Sequence, residues 1–133
     1  MPWRKSMVYA DANILVRYVV NDDEAMATRA EEAIDSGLLF VLPEVIAETV
    51  YVLTKVYGID RTDVSEAILE LLEFVSTSAP AVIRNALAYY RESSLDFVDC
   101  VLASCRLTDG TQILTFDKKL NNFIARKEAE RKA

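Results

Sequence analysis

Apolar residues along this chain fall into short unbroken runs that alternate with stretches repeating every three to four positions. Residues 8–10 form one apolar run, closed by Asp11. From Asn13 the pattern turns helical through Ile14, Leu15, Tyr18 and Val19, which reads as strand, turn, helix. Asn21, Asp22 and Asp23 signal a fresh helix start with acids in its first turn, and Gly37 a helix end. Residues 38–42 are continuously apolar, as expected of a strand covered on both faces in a parallel sheet. Pro43 suits the first turn of a helix whose stripe is Val45, Ile46, Val50, Leu53, Val56 and Tyr57, ending at Gly58.

A further helix is predicted from Asp60 or Thr62, with Val64, Ile68, Leu71, Leu72 and Val75 at helical spacing. Residues 76–80 are a break with room for a short edge strand. Helices follow over about residues 81–91 and 97–107, the second with Val98, Val101, Leu102 and Cys105 as its core stripe. Residues 112–116 read as a last strand, followed by a turn and a C-terminal helix. Alternating strands and helices predict an α/β fold with a mostly parallel sheet. Residues 1–6, with Met7 as an alternative start, read as an extension, and the charged segment 125–133 as a solvated tail.

Composition narrows the chemistry. At 133 residues the chain suits one domain, and 52% hydrophobic with 27% charged residues is a globular balance. The early apolar stretch is interrupted by Asp11, Asn13 and Arg17, so a signal peptide is not expected, and no run approaches the length needed to span a bilayer. Cys100 and Cys105 fall on different faces of one helix, so neither a disulfide framework nor a zinc site is expected; a reducing cytoplasm suits them. The chain has no His, which removes Ser–His–Asp and Cys–His hydrolases and His-ligated zinc. Its three glycines build no phosphate-cradling loop. Chemistry must rest on carboxylates, hydroxyls, amines or a metal.

Two apolar runs end in Asp: Asp11 after residues 8–10, and Asp117 after Ile113, Leu114, Thr115 and Phe116. Ligands of parallel sheets bind at the carboxyl ends of strands. If the two strands are neighbours, these carboxylates repel unless a cation sits between them. Each also has an ordinary reading, Asp11 as a helix cap and Asp117 as a turn residue. Asp96 and Asp99 open the helix at 97–107, Asp96 in a capping position. Glu48 lies at the margin of its helix's apolar stripe, where spacing does not separate it from a surface Glu. Asn13 and Thr115 are placed to orient neighbouring carboxylates or simply to begin a helix and extend a strand.

Four segments in order resemble the PIN-domain family. Val8-Tyr9-Ala10-Asp11-Ala12-Asn13-Ile14-Leu15 is similar to its opening strand and Asp. Residues 43–53, PEVIAETVYVL, are similar to its second acidic segment, with Glu48 at the acidic position. Leu95-Asp96-Phe97-Val98-Asp99-Cys100-Val101-Leu102-Ala103 resembles the third, with Asp99 as the metal-site acid. Leu114-Thr115-Phe116-Asp117-Lys118-Lys119-Leu120 resembles the fourth. The likeness covers residues 7–124 and is strongest to the VapC toxins of toxin–antitoxin pairs. Ala12 stands where the family commonly has Thr, the segment after Val75 is short, and polar helix replaces the usual final strand.

The resemblance implies a three-layer α/β/α domain with a central sheet of four or five strands. It also implies a Mg²⁺-dependent endoribonuclease, with Mn²⁺ as an alternative ion. Asp11, Glu48, Asp99 and Asp117 would be both the catalytic and the metal-holding residues, with Asn13, Asp96 and Thr115 in support. Arg17, Lys118 and Lys119 are candidate phosphate contacts. The partners implied are RNA, a cognate antitoxin and a second copy of the chain. Hard oxygen donors are what Mg²⁺ requires, and the chemistry needs no His. The net charge of -6 opposes RNA binding by bulk attraction, but leaving out the four proposed ligands brings it to -2. Two alternatives stand beside this reading. One is a PIN-like module that binds RNA or a partner without cutting. The other is a magnesium phosphohydrolase with Asp11 as acceptor, which lacks its usual second acid because position 13 is Asn.

Overall fold

The first strand, β1 (Val8–Tyr9), lies parallel to β2 (Leu39–Phe40), with Val8 opposite Leu39 and Tyr9 opposite Phe40. The structure, a computed structural model, describes residues 6–132. The sequence reading of residues 1–6 as an extension therefore falls, except for Ser6, outside the described residues. Two units divide after Ser78.

In the first unit, β1 and β2 are joined through α1 (Ala12–Val20) and α2 (Glu24–Asp35), the long crossover that a parallel pair needs. Asp11 caps α1, accepting the Ile14 amide at 3.3 Å, and Asp23 caps α2, accepting the Met26 amide at 3.0 Å. The chain leaves β2 through Pro43, which opens α3 (Pro43–Tyr51). α3 runs into a π-helical turn, Val52–Val56, in which the Tyr57 amide reaches back five residues to the Val52 carbonyl at 3.1 Å. α4 (Arg61–Leu71) follows. Leu15, Ile34, Val41, Ile46, Leu53 and Ile68 are fully buried and form the core of this unit. The edge strand expected at 76–80 is reduced to a single parallel bridge between Phe40 and Ser76.

The second unit consists of α5 (Pro80–Glu92), α6 (Phe97–Asp109) and α7 (Lys118–Lys132). α6 does not bury the stripe expected from its large apolar residues. Its buried side chains are Phe97, Cys100, Ala103, Ser104 and Leu107, whereas Val98 is 60% exposed. Close packing against α5 explains the choice: small side chains let the backbones approach, and Ser104 Oγ donates to the Val82 carbonyl at 2.6 Å. α7 docks through Leu120 and Phe123, the latter edge-on to Tyr89 at 5.3 Å.

The chain is α/β, but among the described residues its sheet has two strands rather than the expected four or five. Residues 112–116 are the clearest departure. They form no strand and have no ladder partner among the described residues, and Leu114 and Phe116 stand 91% and 97% exposed. Local hydrogen bonds occupy groups that a ladder would use. Thr115 Oγ1 accepts the Asp117 amide, and the Thr115 carbonyl accepts Asn121 Nδ2, both at 3.0 Å.

Candidate functional site

Asp11 and Glu48 belong to the first unit. Because β1 and β2 are parallel, α1 and α3 both begin at the same edge of the pair, the edge at the strands' carboxyl ends. Asp11 stands there at the start of α1, and Glu48 one turn further into α3. Both side chains are exposed, while Thr49 and Val50 beside Glu48 are buried. Asp11 spends Oδ1 on its cap, leaving Oδ2 for other work. Asn13 is exposed near the start of α1 and forms no hydrogen bond to a carboxylate among the described residues.

Arg17 has a different fate from the one expected. Its guanidinium is held by the Asp22 carboxylate and the Tyr57 hydroxyl, so it is already engaged within its own unit. The sequence pattern gives Tyr57 only as the end of an apolar stripe and not as a partner of Arg17. Its placement depends on the π-helical turn before it, which apolar periodicity does not reveal.

Asp96, Asp99 and Asp117 belong to the second unit, and the charges of Asp96 and Asp117 both act on Asp99. Asp96 occupies the capping position of α6 but makes no capping hydrogen bond, so its ordinary structural reading does not hold. Asp99 sits in the first turn of α6, half-buried. Burial raises its carboxyl pKa above the ordinary value, and the negative charges of Asp117 and Asp96 raise it further; Lys119 opposes them. Asp117 uses one oxygen, Oδ1, to accept the Leu120 amide at 3.0 Å and so starts α7. Thr115 supports that turn by accepting the Asp117 amide. Lys118 is exposed, and Lys119 Nζ donates to the Ser94 carbonyl at 3.0 Å.

All four principal acids offer oxygen only, the donor type suited to a hard divalent cation. Among the described residues, no three acidic, His or Cys side chains converge as a group able to hold one. In kind, then, the donors fit magnesium; the structure itself supplies the crowding of like charge at Asp99 that a cation relieves.

The profile of the PIN domain matches residues 8–125. This chain belongs to the PIN-domain family. Membership in it agrees with the α/β character of the chain and brings a general association with nuclease activity and divalent metals. No curated protein and no solved structure matches the chain. All four acidic segments of this PIN domain lie inside the matched span. Among the described residues no helix is long and apolar enough to cross a membrane.

The sequence reading also passed over Asn122 and Arg126. Together with Lys119 they fall at i, i+3 and i+7 on one face of α7 and line a groove of about 450 Å³. The spacing was visible in the sequence, but the charged segment looked like a solvated tail.

Proposed function

We propose that this PIN domain is a Mg²⁺-dependent endoribonuclease, able to use Mn²⁺, that hydrolyses RNA phosphodiesters. The observation that carries the reading is half-buried Asp99, on which the negative charges of Asp117 and Asp96 both act, with neither Asp96 nor Asp99 making a helix-capping hydrogen bond. On the family resemblance, Asp11 and Asp99 would be the primary metal ligands, Asp117 would complete a metal or water shell, and Glu48 would bind a second ion or orient the attacking water. When bound, a divalent ion supplies activation of water and neutralisation of phosphate charge.

The chain's own groups have separable tasks. The caps at Asp11 and Asp117 fix those carboxylates while leaving one oxygen of each unspent. Lys119, close in charge to Asp99, tempers the acidic surface that a phosphate must approach. Thr115 and Asp96 support Asp117 and Asp99. The four-motif resemblance to VapC proteins extends the proposal to a toxin working in the cytoplasm as a homodimer, restrained by an antitoxin.

A second reading, an RNA- or partner-binding module without cleavage, is favoured by the lack of a three-residue metal cluster among the described residues. RNA cleavage in Mg²⁺ or Mn²⁺, compared with EDTA and with Asp99→Asn, separates the two. Metal-dependent cutting lost in the variant supports the nuclease. A folded, metal-binding protein that leaves a broad RNA pool intact supports the module.

A further inference from the structure

We propose that the groove along α7 is a phosphate subsite, which holds the backbone of single-stranded RNA beside the carboxylates; this rests on the ribonuclease reading. Six residues carry the argument: Ser93, Ser94, Lys119, Asn122, Phe123 and Arg126. The groove's volume of about 450 Å³ lies within the roughly 300–1,000 Å³ of small-ligand sites, large enough for a nucleotide unit.

Its charge is positive where it matters. Glu92 also borders the groove, but Lys127 Nζ pairs with it at 2.5 Å, leaving Lys119 and Arg126 as the cations offered to a ligand. Arg126 is only loosely committed. Its Nε stands 3.9 Å from Glu130, which Lys127 also contacts at 3.5 Å, and its side chain is 60% exposed. The guanidinium lies 5.2 Å from the centre of the Phe123 ring, which restrains it without neutralising it. The Ser94 hydroxyl and the Asn122 amide add neutral donors, the usual companions of basic groups around a phosphate oxygen.

Position favours a substrate strand over an isolated anion. Lys119 lines the groove, lies two residues from Asp117 on the first turn of α7 and acts by its charge on Asp99, so this end of the groove is the one nearest the carboxylates. A chain with a formal charge of -6 repels polyanions at long range, and a local basic track is what lets one approach. Phe123 is buried, so its face is not a stacking platform for a base. The subsite therefore reads backbone and not sequence.

The test is fluorescence anisotropy of a labelled oligouridylate with the full chain in EDTA, where nothing is cut, across a salt series. Arg126→Ala should weaken binding by about threefold to tenfold and reduce the salt slope by about 0.7, whereas Arg126→Lys should keep the slope. Circular dichroism of both variants should match the wild type. In Mg²⁺, Arg126→Ala should raise KM with kcat unchanged. Cleavage by the wild type together with unaltered binding by Arg126→Ala overturns the subsite and leaves the nuclease standing. Binding that needs Arg126, without cleavage in any metal, keeps the subsite and overturns the nuclease. Failure of the wild type to bind RNA at all overturns the subsite.

Discussion

Asp117 Oδ1 accepts the amide hydrogen of Leu120 at 3.0 Å, which makes the last of the four acids the cap of the last helix. The same side chain thus serves folding and, in our reading, chemistry. Substitution can divide the two. Asp117→Asn keeps a good capping residue and should hold stability nearly constant while abolishing cleavage. Asp117→Ala should abolish cleavage and also cost about 1 kcal/mol, measured by urea unfolding.

Asp99 provides a test by titration. Its carboxyl pKa is raised in the folded protein, so the native state binds a proton more tightly than the unfolded chain. Without metal, stability should be greatest with Asp99 protonated. It should fall as pH rises from the ordinary Asp range through the raised native value. Asp99→Asn should therefore increase the urea midpoint in EDTA at neutral pH and flatten this part of the pH profile. The same variant should lose cleavage, and its gain in stability shows that the loss is not misfolding.

Metal should act in the opposite direction to protonation. Saturating Mg²⁺ at about 100 times its dissociation constant should stabilise the wild type by roughly 2.7 kcal/mol, and Asp99→Asn by much less. Thermal melts with and without EDTA read this directly. Equal shifts in both proteins would place the ion away from Asp99.

Glu48 is exposed on α3, so Glu48→Gln should alter stability by no more than about 0.5 kcal/mol. Its effect should appear in the cleavage rate alone. Unchanged cleavage would remove Glu48 from the site.

The packing of α6 supplies a prediction free of any functional reading. Ala103 is fully buried on α6, which packs against α5 and α7, and Ala103→Leu should cost about 1–3 kcal/mol by overpacking. Val98→Ala, on the exposed face, should fall within about 0.5 kcal/mol of wild type. Urea unfolding of the pair distinguishes the observed face from the one its large residues suggested.

Much of the helical plan was legible because caps and breakers are local. Asp23, Pro43 and the glycines at 37, 58 and 110 mark boundaries through their own backbone preferences. The face of α6 was not legible, since apolar size points to Val98 and Leu102 while helix packing buries Cys100, Ala103 and Ser104. Residues 112–116 misled for a related reason. Their composition favours a strand, yet Thr115 is drawn into the turn that starts α7. For the site, strand-ending acids exposed Asp11 and Asp117. Glu48 required the family pattern, because a surface Glu and a catalytic one have the same spacing.

The π-helical turn at Val52–Val56 has a consequence for heredity. One extra residue in a helix rotates everything beyond it by about 100°. Here that rotation precedes Tyr57, whose hydroxyl meets Arg17. Loss of a single codon from this stretch would straighten the helix, leave its apolar composition nearly intact and carry Tyr57 away from its partner. A lineage can therefore exchange most residues in this turn more readily than it can change their number.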